Sequence, residues 1–147
     1  MNQKPIFASP QDVEAAFYDA LERGDLDAIM ALWSEDEEIV CVHPGGPLLV
    51  GYAMIQDAWR RIFEHGRKLE VRRSLPTVVT TPFAVIHSLI EHIRVATGRG
   101  VSDGSVSQAP VAATNVYVRG PMGWRMVAHH SSPVPPDSLT ESPKVLH

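Results

Sequence analysis

The chain reads as an α+β domain: helices come first, strands follow, and the helices gather on one face of a mainly antiparallel sheet. Three observations predict this. Apolar residues recur at helical spacing up to Gly66, and four runs rich in Val, Ile, Thr and Tyr fill the second half. The breaks between those runs are short and built from Gly and Pro. A curved sheet with helices over its concave side leaves a cavity, and such cavities commonly hold apolar small molecules.

The elements follow in order. Ser9-Pro10-Gln11-Asp12 is a helix start, with Ser9 as N-cap, Pro10 in the first turn and Asp12 three residues on. Val13, Ala16, Phe17, Ala20 and Leu21 make one apolar face, and Gly24 stops the helix. Asp25 caps a second, shorter helix carrying Leu26, Ile29, Met30 and Trp33. The acidic run Ser34-Glu35-Asp36-Glu37-Glu38 reads as a solvated turn. A short strand, Ile39 to His43, runs into the turn Pro44 to Pro47. Gly51 then precedes a third helix, roughly residues 52–65, with Ile55, Ala58, Trp59, Ile62 and Phe63 on one side.

Strands are expected at Leu69 to Thr80, Ala84 to Thr97, Pro110 to Arg119 and Trp124 to Ser131. They break at Pro82, at Gly98-Arg99-Gly100 and at the hairpin turn Gly120-Pro121-Met122-Gly123. Residues 1–132 are read as one domain. Residues 133–147 hold four prolines and no apolar periodicity, which predicts an irregular tail.

Composition limits the function classes. The 147 residues are 44% hydrophobic and 20% charged, enough for a real core. A net charge of −4 gives no basic face for nucleic acid. No apolar run approaches the roughly 18 residues of a membrane span, and the N-terminus has no signal-peptide pattern, so a cytoplasmic location is expected. The lone Cys41 offers neither an intrachain disulfide nor a cysteine metal pair.

Several side chains are candidates for chemistry. Alternation along the first strand puts Ile39, Cys41 and His43 on one face. His43 there is either an acid/base facing the cavity or a hydrogen-bonded strand end that holds the following turn. Of the adjacent pair His129-His130, at most one can face inward. His130 shares its face with Trp124, Met126 and Ala128, the more apolar set, so His130 is expected inside. Asn115 and Tyr117 share a strand face, and a buried amide needs a partner, either a ligand or a neighbour. Phe17, Trp33, Trp59 and Phe63 sit at helical spacing, which reads first as core packing, with cavity lining as the alternative. His87 and Glu91 share a face while His92 points away. Neither HxH nor HExxH occurs, so no metal is expected. There is no GxSxG and no phosphate loop, Cys41 reads as an inert core thiol, and no cofactor is implied.

The stretch FYDALERGDLDAIMALWSEDEEIVCVHPGGPLLVGYAMIQDAWRRIF resembles the opening half of a nuclear-transport-factor-2-like domain, and TNVYVRGPMGWRMVAHHSSP resembles that superfamily's closing strand pair. The likeness covers about residues 9–133. It implies a cone-shaped fold with three helices on a strongly curved sheet, and a homodimer formed through the sheet. Members include ketosteroid isomerase, scytalone dehydratase and SnoaL-like cyclases. In ketosteroid isomerase the base is an aspartate before a proline, which falls on His43-Pro44. The oxyanion tyrosine falls on Phe17, with Tyr18 one residue off and expected to point elsewhere. The second oxyanion donor falls near Asn115. Steroid isomerisation by that mechanism is not expected, because the groups that would stabilise an oxyanion are replaced.

The resulting expectation is a domain that binds a small molecule in an apolar cavity. It would act as an isomerase, dehydratase or cyclase on an apolar carbonyl substrate, with His43 and Asn115 as catalytic residues and Phe17, Trp33, Trp59, Tyr117 and His130 as ligand contacts. The alternative is a noncatalytic ligand-binding or dimeric interaction domain, with no nucleic acid or membrane partner.

Overall fold

Helix α1, Pro10–Arg23, begins where Ser9 accepts a hydrogen bond from the Asp12 amide at 3.1 Å and ends at Gly24 in the left-handed region. Asp25 caps α2, Leu26–Ala31, by accepting from the Ala28 amide. Helix α3 spans Tyr52–Glu64. The structure, a computed structural model, describes residues 4–66, 68–96, 105–107 and 110–135. Among these, no helix is long and apolar enough to cross a membrane.

The strands are β1 (Val40–Val42), β2 (Leu49–Val50), β3 (Lys68–Thr80), β4 (Ala84–Ala96), β5 (Ser105–Ser107), β6 (Val111–Gly120) and β7 (Gly123–Pro133). They form one sheet in the order β2-β1-β7-β6-β4-β3, with β5 also paired to β4. All pairings are antiparallel except β1 with β7. The long strands and all three helices fall where the sequence places them. The two-residue β2 and three-residue β5 are additions, too short to leave a pattern of alternation. Residue 97 and the Gly98-Arg99-Gly100 break lie outside the described residues, as does the expected tail from residue 136 on.

The helices cover one sheet face. Val13, Phe17, Leu21, Ile29, Trp33, Ile55 and Trp59 pack with Cys41, Leu89, Ala113, Tyr117 and Met126 into the core. Two irregularities shape the sheet. In β3 the register shifts between Ser74 and Thr77, and Leu75 takes a φ of +53°. In β7 Val116 pairs with Ala128 but Tyr117 pairs with Met126, so Val127 is an extra, unpaired residue.

That second bulge corrects one sequence expectation. A bulge resets the alternation, so Trp124 and Met126 point inward before it and His129 and Ser131 point inward after it. His130, expected inside, is exposed on the outer face.

Candidate functional site

Helix α1 presents Glu14, Phe17, Tyr18 and Leu21 at i, i+3, i+4 and i+7, so two polar groups share the buried stripe with two apolar ones. Facing them, the inner faces of the strands supply His87 and Glu91 from β4, Asn115 and Tyr117 from β6, and His129 from β7. Glu14, Glu91, Asn115 and His129 are all buried. Buried polar groups on this scale persist only when they satisfy one another.

They do so in a directed chain. The Glu14 carboxylate accepts from the Tyr117 hydroxyl at 2.9 Å and from His87 Nδ1, and Arg73 lies 3.6 Å from its other oxygen. Because a carboxylate only accepts, the Asn115 Nδ2 group 3.5 Å away must be the amide nitrogen. That nitrogen also donates to the Tyr18 hydroxyl at 3.1 Å, and Tyr18 donates to Glu91 Oε2 at 2.6 Å. Asn115 Oδ1 is left to accept from His129 Nδ1 at 2.5 Å. The guanidinium of Arg73 also sits 4.6 Å over the Tyr18 ring.

In front of this chain lies a cavity of about 250 Å³. Trp59, Phe63, Ile93 and Val95 give it apolar walls, and His43, His129 and Glu91 supply its polar edges. The His43 position comes from the turn that follows β1. Gly46 donates to the His43 carbonyl at 2.8 Å, Pro44 takes the second place, and Gly45 the third with φ +76°, a backbone open to glycine. The imidazole packs edge-on against Trp59 at 4.5 Å and lies 6.5 Å from the His129 ring. His43 Nε2 is 3.8 Å from the Cys41 sulfur.

Burial decides the protonation states. It lowers His43 to about 4. It lowers His129 to about 3, with small contributions from His43 and His130. Both imidazoles are therefore uncharged at neutral pH and each keeps one ring nitrogen as an acceptor. Burial raises Glu91, against the opposing hydrogen bond from Tyr18. Burial also raises Tyr18 and Tyr117, helped by the neighbouring carboxylates. Burial pushes the Cys41 thiol up to about 12, which removes it as a nucleophile at neutral pH. The arrangement gathers two uncharged imidazoles and a carboxyl with an elevated pKa around an apolar space.

The sequence candidates divide. His43 and Trp59 line the cavity. Asn115 and Tyr117 stand one layer behind it, bound into the polar chain. Phe17 is fully buried against Tyr18, Trp59 and His129. Trp33 lines a different hollow, and His130 faces outward. Tyr18, expected to point elsewhere, enters the polar chain, because α1 buries both flanks of its inner stripe. Glu14 escaped sequence reasoning altogether, and His129 was weighed beside His130 but not chosen for the interior. The i, i+4 pair Glu14 and Tyr18, together with His87 and Glu91 on one strand face, was the available signal.

Known proteins agree with the architecture. A family model described as a SnoaL-like domain matches residues 11–137. A solved structure from Thiobacillus denitrificans, described as a candidate calcium/calmodulin-dependent protein kinase type II association domain, is 34% identical. It covers 89% of this chain and 99% of its own, with a TM-score of 0.75. A candidate dehydratase of the NTF2-like family from Streptomyces avermitilis is 29% identical over 83% of this chain and 91% of its own, with a TM-score of 0.74. F-box protein SKIP8 of Arabidopsis thaliana is 28% identical over 122 residues, 82% of this chain. The chain spans about half of that relative, 47% of its length.

Proposed function

The chain belongs to the SnoaL-like family within the NTF2-like superfamily, and on that premise we propose that its central cavity binds a small apolar carbonyl compound and moves protons on it. The observation that carries this reading is the placing of two uncharged imidazoles, His43 and His129, beside Glu91, whose pKa is raised, in one apolar cavity. His43 takes or returns a proton at the carbon next to the carbonyl. Glu91, in its acid form, protonates the carbonyl oxygen or a departing hydroxyl. Asn115 is a positioning residue: it fixes which nitrogen of His129 carries hydrogen. The dehydratase description of the Streptomyces relative supports the same class of reaction.

The test is hydrogen–deuterium exchange at the α-carbons of cyclohexanone in deuterated buffer, followed by NMR. The protein accelerates exchange over buffer, and His43→Ala removes most of the acceleration, by about 10²-fold or more for an acid/base group. Exchange at the buffer rate, while the ketone demonstrably binds, overturns the catalytic reading.

A second reading, noncatalytic binding or dimeric assembly, is favoured by one feature. Asn115 and Tyr117 spend their hydrogen bonds on neighbours, so they offer no free donor to an oxyanion. The association-domain description of the Thiobacillus relative points the same way.

A further inference from the structure

The polar end of the central cavity has a fixed hydrogen-bond polarity. His129 and Glu91 both line it, and each is already engaged from behind. Asn115 Oδ1 takes the His129 Nδ1 hydrogen, and Tyr18 gives its hydroxyl hydrogen to Glu91 Oε2. Both directions are set at one amide. The Asn115 nitrogen donates to Glu14 and to the Tyr18 oxygen, so the amide oxygen is left for His129 and the Tyr18 hydrogen for Glu91.

Two atoms remain, His129 Nε2 and Glu91 Oε1. Neither has a partner among the described residues, and neither is sealed from the cavity as the Trp59 indole nitrogen is. An uncharged imidazole with its hydrogen on Nδ1 is only an acceptor at Nε2. Water answers such an acceptor, but a ligand that displaces the water and brings no donor leaves a buried lone pair unanswered and loses affinity. The cavity therefore selects for a donor at this point.

Charge narrows the kind of donor. No Lys or Arg lines the cavity, so a carboxylate or phosphate meets no cation there. Both imidazoles are uncharged at neutral pH, and burial drives Glu91 toward its uncharged form, so an ammonium group meets no settled anion. An uncharged hydroxyl fits best. The volume of about 250 Å³ lies under the usual range of drug-sized pockets and suits a compact, ring-sized body between Trp59, Phe63, Ile93 and Val95.

We infer that the ligand of this cavity is an uncharged hydroxy-carbonyl compound, whose hydroxyl donates to His129 Nε2 while its carbonyl oxygen lies at Glu91 Oε1. This rests on the central cavity being the binding site, and it adds to the carbonyl reading the group that sets selectivity. His129 is the specificity-determining residue. Asn115 acts through it, by holding the hydrogen on Nδ1.

Five probes share one ring: cyclohexanol, methoxycyclohexane, cyclohexylamine, cyclohexanone and 4-hydroxycyclohexanone. Their affinities for the full chain are measured by calorimetric titration at neutral pH. Cyclohexanol binds roughly 2- to 10-fold more tightly than methoxycyclohexane, and 4-hydroxycyclohexanone exceeds cyclohexanone by a similar factor, the worth of one neutral hydrogen bond. His129→Phe, checked for folding by circular dichroism, removes both differences and leaves cyclohexanone affinity in place. A second readout needs no variant: the Nε2 nitrogen NMR signal of His129 shifts further upfield with cyclohexanol than with methoxycyclohexane. Methoxycyclohexane or cyclohexylamine binding as tightly as cyclohexanol overturns the inference. So does a hydroxyl advantage that survives in folded His129→Phe, an Nε2 signal indifferent to cyclohexanol, or no binding by any of the five. The catalytic reading fails separately. Hydroxyl preference with ketone exchange at the buffer rate leaves this inference standing, whereas accelerated exchange without hydroxyl preference removes it alone.

Discussion

Asn115 Oδ1 accepts the Nδ1 hydrogen of His129 at 2.5 Å, with both residues buried. The orientation is forced from the far end, since Glu14 accepts from the amide nitrogen. His129 is thereby held with its lone pair on Nε2. Replacing Asn115 by Leu leaves that ring N–H and the Tyr18 hydroxyl short of a partner, and stability falls by about 1–3 kcal/mol in urea unfolding. Asn115→Asp keeps the acceptor but adds a charge, so the His129 pKa, followed by imidazole NMR shifts, rises above its present value near 3. An unchanged pKa in the folded aspartate variant contradicts the assigned pairing.

The same burial makes the fold sensitive to acid. His43 and His129 have folded pKa values of about 4 and about 3, below the ordinary 6.5. As pH falls below 6.5, the unfolded chain binds two protons that the folded chain refuses, so stability is lost. Glu91 works in the opposite sense above its ordinary value of 4.5, because the folded state keeps a proton the unfolded state releases. Between about pH 6.5 and 4.5 the two imidazoles together lower stability by up to about 2.7 kcal/mol per pH unit, and the raised Glu91 offsets part of that loss. Urea unfolding across that interval checks it, and His43→Phe flattens the slope. Stability that holds constant or rises as pH drops excludes these burial effects.

The helices and long strands were legible because each buries one face, and a buried face writes its period into the sequence. His43 was legible for a related reason: the turn chemistry of Pro44 and Gly45 marks where β1 ends. His129 was not. A bulge adds one residue without any residue type announcing it, and the extra Val127 exchanges the fates of two adjacent histidines. Glu14 was hidden for another reason. A glutamate in an amphipathic helix reads as solvent-facing, and only the arrival of His87 and Tyr117 from distant strands makes its burial tolerable.

Gly123 is a position where no side chain fits. Its φ is +90°, and a Cβ there would stand 2.7 Å from the Phe7 carbonyl oxygen. That close approach holds the N-terminal segment against β7, where the Trp124 amide donates to Phe7 at 2.9 Å. Gly123→Ala costs about 1–2 kcal/mol and frees the segment, so limited proteolysis cuts before Ser9 sooner than in the wild type. Equal stability and equal cleavage rates contradict this contact.

The outer face of the sheet carries the expectation of a homodimer. Cross-strand register lines up Val79, Ile86, Val116 and Ala128 in one row. Val79 and Ile86 are 55% and 41% exposed, an apolar strip on a face the helices do not cover. Pairing two such strips buries them, and a charge set in the middle must then be desolvated without a partner. In sedimentation velocity at micromolar concentration the wild type runs as a dimer, and Ile86→Glu runs as a monomer with unchanged circular dichroism. Because Ile86 points away from the cavity, ketone binding survives in that monomer. A monomeric wild type, or a dimer indifferent to Ile86→Glu, removes this face as the interface.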